Sequence, residues 1–194
     1  MSNTNEQSEL LQALGPVIEC FESHHIDYFI GGSVASSHHG AARSTLDVDL
    51  SASLTEDNIT SIVSFFSSEY YVSEPAIRDA IRRKSCFNLI HLNSSFKIDI
   101  FINNQRSFDL TAQSRSLTTV LGESQKLVVK IATKEDIILI KLQWYRLGNE
   151  TSERQWKDLT TVVKLNRSEL DRSYLIHWAL ELKVDDLLER LLET

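Results

Sequence analysis

The sequence predicts a mixed α/β fold to about residue 131, followed by a purely helical segment. Short apolar runs bounded by Gly, Asn or Ser read as strands, as at Tyr28-Phe29-Ile30 before Gly31-Gly32 and at 87–92 and 96–102 around Asn93-Ser94-Ser95. Between them apolar residues recur at helical spacing. Beyond Ala132 only the helical spacing remains. The expected organisation is an α/β domain over 1–131 and a helical domain over 132–194.

The elements follow in order. Leu10, Leu11, Leu14, Val17, Ile18 and Phe21 form a helical stripe, with a kink or break expected at Gly15-Pro16. The strand at 28–30 runs into a Gly-Gly turn and a short helix over 33–39, then a strand over 46–52. Thr55 is placed to cap a helix carrying Ile59, Ile62, Val63 and Phe66, with Glu56 and Asp57 favourable in its first turn. A short strand at 70–72, a basic helix over 75–83, the 87–102 hairpin and a strand over 127–131 complete the first part. Thr133-Lys134-Glu135-Asp136 resembles a capping box with Asp where Glu is usual, and opens a helix over 134–147 that stops at Gly148. Three more helices are expected over 153–164, 174–182 and 185–192.

Composition narrows the function classes. The chain has 194 residues, 42% hydrophobic and 24% charged, which suits a globular protein. No apolar run approaches membrane-spanning length and the polar N-terminus does not read as a signal peptide, so a cytoplasmic protein without a membrane partner is expected. Cys20 and Cys86 are too few and too distant for a disulfide framework or a zinc knuckle. A net charge of −7 weighs against a surface devoted to nucleic acid. Arg78, Arg82, Arg83 and Lys84 are the densest local exception, with Arg78 and Arg82 on one helical face.

The chemistry concentrates in three acids. Asp47 and Asp49, spaced i, i+2 on a strand, point to one face, while Val48 and Leu50 point to the other. Asp99 lies among Ile98, Ile100 and Phe101. Carboxylates this close are stable only if a proton or a cation neutralises them, and one or two divalent cations among all three would do so. Gly31-Gly32-Ser33 sits between a strand and a helix, where glycines permit close approach of a ligand and helix amides favour an anion. A phosphate cradle, two acids on the next strand and a third on a neighbouring strand are the parts of a two-metal phosphoryl or nucleotidyl transfer site.

These residues resemble a known superfamily. Gly31-Gly32-Ser33-Val34-Ala35, His39-Gly40, Arg43, Thr45 and Asp47-Val48-Asp49-Leu50 are similar to the signature of the nucleotidyltransferases, which share the DNA polymerase β-like fold, and within them to AbiEii-type bacterial proteins. The resemblance covers about residues 27–102 and implies a nucleotidyltransferase-like mixed sheet flanked by helices. It implies that Asp47 and Asp49 hold Mg²⁺, that Asp99 completes the metal site and activates an acceptor hydroxyl, and that Gly31, Gly32 and Ser33 hold the triphosphate of an NTP. Lys141 would be a further triphosphate ligand, unless it only snorkels from an apolar face, and Asp158 a supporting acid. The acceptor would be the 3′ end of a tRNA, as for toxin members that pair with an antitoxin-like protein, or a small molecule such as an antibiotic, or a protein side chain. The alternative is a nucleotide-binding or protein-interaction module without catalysis. His24-His25 and His38-His39 do not make chelating pairs, because neighbouring side chains diverge. Trp144, Trp156 and Trp178 fall among Leu and Ile at helical positions, where core packing is expected rather than base stacking.

Overall fold

The structure is a computed structural model that describes residues 2–42, 45, 47–122 and 125–194, with side chains described from residue 8 onward. Arg43 and Leu46 lie outside the described residues. The first helix, α1 (Ser2–Ser23), is not broken at Pro16. Proline removes one backbone donor, but Leu14 and Val17 on either side, with Phe21 a turn later, are completely buried. Tertiary burial therefore carries the helix through its weakest point.

After α1 come β1 (Tyr28–Ile30), α2 (Gly32–His38) and β2 (Asp47–Ala52). A 3₁₀ turn, Glu56–Asn58, leads into α3 (Ile59–Phe66), then β3 (Tyr70–Tyr71) and α4 (Glu74–Arg83). Next are β4 (Cys86–His91), β5 (Lys97–Ile102), α5 (Ser107–Arg115), β6 (Leu117–Leu121) and β7 (Leu127–Ile131). The remainder is α6 (Lys134–Leu147), α7 (Glu153–Asn166), α8 (Arg172–Leu182) and α9 (Asp185–Leu192). The strands form one mixed sheet in the order β3-β4-β5-β2-β1-β7-β6. This is the mixed α/β class that the sequence predicts.

Two elements carry no periodic signal in the sequence. In α5 only Phe108 and Ala112 are buried, too few for a visible stripe. The edge strand β6 leaves Leu117 and Val120 exposed, so its side chains do not alternate by polarity.

The centre of the sheet positions the acids. β2 pairs with β5 in parallel and with β1 antiparallel. Val48, Leu50, Ile98 and Ile100 are completely buried on one face of β2 and β5, which leaves the alternate residues on the other. At the start of α6, Thr133 accepts a hydrogen bond from the Asp136 amide at 3.1 Å. Asp136 is completely buried and accepts from the Thr133 hydroxyl and the Tyr174 hydroxyl, each at 2.6 Å. Aspartate is one methylene shorter than the glutamate of a true capping box, so its carboxylate meets the cap hydroxyl and turns towards α8. Arg115 of α5 joins through Glu135 at 3.2 Å and lies over the Tyr174 ring at 3.9 Å.

Replacing Tyr174 with Phe removes one donor from a buried carboxylate. We expect a loss of about 1–3 kcal/mol in chemical denaturation, with no change in ligand affinity at the acidic site.

Candidate active site

The parallel register sets Asp49 opposite Asp99 and Asp47 opposite Lys97. The β4–β5 hairpin sets Asn88 opposite Asp99 and Cys86 opposite Phe101. By the period of the pleat, Asp47, Asp49, Lys97, Asp99, Phe101, Asn88 and Cys86 share one face of three neighbouring strands. Asp99, fifty positions beyond Asp49 in sequence, thus occupies one surface with Asp47 and Asp49.

Each acid is held differently. Thr45 donates to Asp47 Oδ1 at 2.6 Å and so orients that carboxylate. Asp99 is engaged at both oxygens: Asn88 Nδ2 donates to Oδ1 at 2.8 Å, and Lys97 Nζ stands 2.7 Å from Oδ2. Asp49 lies against α2. A Cβ built on Gly32 would fall 1.6 Å from Asp49 Oδ2, and Gly32 has φ +53°, so only glycine fits between this carboxylate and the helix start. The Gly31 amide also donates to the Asp49 carbonyl at 2.8 Å, which ties the turn to β2. Ser33 is buried in the following turn.

Charge accumulates on Asp49. Burial pushes its carboxyl up to about 6, the charges of Asp47 and Asp99 add to the rise, and Lys141 and Lys97 oppose it. Lys141 is buried on α6, with its ammonium 2.9 Å from Asp158 Oδ2 on α7. It does not snorkel to solvent; it faces Asp158 and the acids. Sequence reasoning placed Asp158 as a supporting acid, and the structure brings it to Lys141. It missed Lys97 and Asn88, although Lys97 at i−2 of Asp99 shares its face by strand periodicity alone.

Among the described residues, no three His, Cys, Asp or Glu side chains converge into a full protein cage for a metal ion. Mg²⁺ would in general be held through one or two carboxylates together with waters and substrate phosphates. Asp47 and Asp49 would be the two carboxylates for such an ion; the rise of Asp49 comes first from burial and only then from the Asp47 and Asp99 charges.

Other candidates resolve away from the site. On α4, Arg78 pairs with Glu74 at 2.8 Å, while Arg82 and Arg83 share Asp79 at 3.3 and 2.9 Å, so each arginine has an acidic partner on its own helix. His39 meets the Ala132 carbonyl at 2.8 Å and His24 the Cys20 carbonyl at 2.8 Å, so a ring nitrogen of each is taken up by the backbone. Trp156 and Trp178 pack partly buried against the core. Trp144 does not: it is 46% exposed, because it faces the open side of α6 rather than the bundle.

Two consequences are measurable. Adding a methyl at position 32 should lower stability by about 1–3 kcal/mol, since Gly32→Ala is strained at positive φ and collides with Asp49. Combined with Asp49→Ala the loss should be smaller than the sum, as read by thermal unfolding of the four proteins in the cycle. The raised Asp49 carboxyl sets the second. Folding favours its protonated form, so its contribution to stability is complete below the unfolded value of about 3.9 and is lost as pH rises through about 6. In EDTA, Asp49→Asn should therefore be more stable than the parent above pH 6, by up to about 3 kcal/mol, with the gap closing towards pH 4.

No protein-family model matches the chain, and no curated protein matches it. Solved structures do. An antigenic nucleotidyltransferase-like protein from Paracoccidioides brasiliensis superimposes with a TM-score of 0.55 at 18% identity, covering 96% of this chain and 93% of its own. The antibiotic-resistance factor ANT(2'')-Ia superimposes with a TM-score of 0.52 at 8% identity, covering 95% of this chain and 97% of its own. The fold of this chain is that of nucleotidyltransferase-like proteins.

Proposed function

We propose that the chain is a Mg²⁺-dependent nucleotidyltransferase that moves NMP from an NTP to an acceptor hydroxyl. The observation that carries this reading is the convergence of Asp47, Asp49 and Asp99 on one sheet face beside Gly32, with the Asp49 carboxylate pressed against the glycine turn. Residues 1–131 would form the catalytic domain and 132–194 the helical domain. Gly31, Gly32 and Ser33 bind the triphosphate, and Lys141 approaches it from α6. Asp47 and Asp49 would hold Mg²⁺, with Asp99 joining them, and the ion supplies neutralisation of the phosphates and of the leaving group. Asp99 takes the proton of the acceptor hydroxyl. The acceptor oxygen then bonds to the α-phosphorus, the bond from that phosphorus to the bridging oxygen breaks, and pyrophosphate leaves with the electron pair.

The resemblance to AbiEii-type toxins suggests a tRNA 3′ end as acceptor and a cognate antitoxin-like partner. The fold neighbour described as an antibiotic-resistance factor suggests a small molecule instead. The arginines of α4 are each engaged with an acid of their own helix and the chain carries a net charge of −7, which weighs against a long polyanion. We therefore favour an acceptor of limited size, either a small molecule or the terminal nucleotide alone of an RNA. No helix is long and apolar enough to cross a membrane among the described residues.

Calorimetric titration of ATP, GTP, CTP and UTP, with and without Mg²⁺, tests the reading. At least one NTP should bind only with the cation, and Asp49→Ala should weaken that binding at least tenfold while the protein remains folded. Unchanged binding in Asp49→Ala would sink the proposal. Incubating labelled NTPs with total tRNA and with antibiotic acceptors then identifies the acceptor through labelled product and released pyrophosphate.

A further inference from the structure

Lys97 is a cation already seated among the three acids, and the proposed chemistry gives it no task. On β5 it shares the face of Asp99, two residues further on, and the β2–β5 register sets it opposite Asp47. Its ammonium stands 2.7 Å from Asp99 Oδ2, while Asn88 Nδ2 on β4 donates to Oδ1 at 2.8 Å. Lys97 is 43% exposed, but the Asp99 side chain is only 13% exposed, which sets this contact apart from a pair of solvated surface groups. A carboxylate engaged at one oxygen from its own strand and at the other from the next strand has a fixed orientation.

The distribution of charge assigns the lysine a place. Two ammonium groups act on Asp49 among the described residues, those of Lys141 and Lys97. Lys141 stands 2.9 Å from Asp158 Oδ2, so α7 supplies its counter-charge. Lys97 is matched by Asp99. Asp47 and Asp49 remain, at i and i+2 on one strand face, and two carboxylates balance one divalent cation. In two-metal phosphoryl transfer one ion meets the attacking oxygen and the other the leaving oxygens. With Asp99 as the acid of the acceptor side, an ion for the attacking oxygen would lie against Asp99. The Lys97 ammonium already stands there.

We propose that Lys97 takes the place of the acceptor-side cation, so that the chain binds a single divalent ion, on Asp47 and Asp49 together with the NTP. This rests on the nucleotidyltransferase reading, because that reading defines the acceptor side. It goes beyond that reading by fixing the number of ions and by giving the attacking oxygen a lysine in place of a second metal. Asp99 joins the shell of the one ion only on release from Lys97.

The test uses the full chain with Mn²⁺ as the probe, counted by electron paramagnetic resonance of the free ion, alone and with the α,β-methylene analogue of each NTP. The parent should hold one Mn²⁺ per protein–analogue complex. Lys97→Ala, which empties the place and removes the charge, should hold two, and Lys97→Arg should stay at one. Without nucleotide, Lys97→Ala should bind Mn²⁺ at least tenfold more tightly than the parent. Lys126 is exposed and directly precedes β7, so Lys126→Ala measures the effect of net charge alone and should match the parent. If Lys97→Ala does not fold, as judged by thermal unfolding, Lys97→Gln, neutral and of similar length, is read in the same way.

Two Mn²⁺ in the parent complex would overturn the proposal. So would a count that stays at one in Lys97→Ala, or a gain in affinity no larger than that of Lys126→Ala; either leaves Lys97 as an ion pair without a role in metal binding. If no analogue binds the parent yet Lys97→Ala binds Mn²⁺ tenfold more tightly, the nucleotidyltransferase reading fails and Lys97 stands as the resident cation. If the analogue binds with Mn²⁺ and the count is the same in parent and Lys97→Ala, the role of Lys97 alone fails. If no analogue binds and the affinity for Mn²⁺ is unchanged, both fail.

Discussion

The parallel pairing of β2 with β5, in the register that sets Asp49 opposite Asp99, is the constraint on which the site depends. That register is enforced from the opposite face, where Val48, Leu50, Ile98 and Ile100 are completely buried. Slipping either strand by one residue would exchange its apolar set for its polar one and bury the carboxylates. Burial of those four side chains contributes about 1.5–3 kcal/mol each. The rise of the Asp49 carboxyl to about 6 corresponds to roughly 3 kcal/mol of unfavourable ionisation at neutral pH. The apolar face therefore outweighs the cost of ionising Asp49, a cost set first by burial and then by the Asp47 and Asp99 charges.

The second determinant is the path of α6 across this surface. Its first turn is fixed by the Thr133–Asp136–Tyr174 hydrogen bonds and by Arg115, which link α5, α6 and α8. A helix anchored there carries Lys141 over the acids and Trp144 onto Phe101. The pairing of Lys141 with Asp158 joins α6 to α7 in a buried contact. Breaking one partner of such a pair is far more costly than the pair is stabilising, so the link resists loss more than it adds stability. The helical segment thus supplies one wall of the candidate site.

Much of this was legible in the sequence, for physical reasons that differ by residue. The acids at 47 and 49 declare a shared face through the strand period alone, and α6 was bounded correctly from Thr133 to Gly148 because both ends carry capping chemistry. The Asn93-Ser94-Ser95 turn centres the hairpin so that Asn88 falls opposite Asp99, yet its role became visible only with the register in hand. Nothing in a linear pattern shows that β5 lies beside β2 rather than elsewhere in the sheet. Trp144 was misjudged because helical spacing among Leu and Ile indicates a stripe but not where the stripe leaves the core. The paired state of the α4 arginines was equally hidden: their acidic partners lie three and four residues away on the same helix, and side-chain geometry decides whether they meet.

The two lysines give the site its balance. Lys97 neutralises Asp99 at 2.7 Å while Asn88 holds the other oxygen, so without ligands the proposed proton acceptor is already engaged on both sides. Lys97 is itself held in its charged form chiefly by its hydrogen bond to Asp99. Any cation that drew Asp99 towards Asp47 and Asp49 would have to displace this ammonium, and the freed lysine would then stand beside the incoming acceptor as a positive charge. At Asp49, Lys141 and Lys97 moderate the effects of burial, Asp47 and Asp99. The raised carboxyl of Asp49 lies against the glycine turn, where a phosphate-bound cation would meet both the acids and the proposed triphosphate cradle.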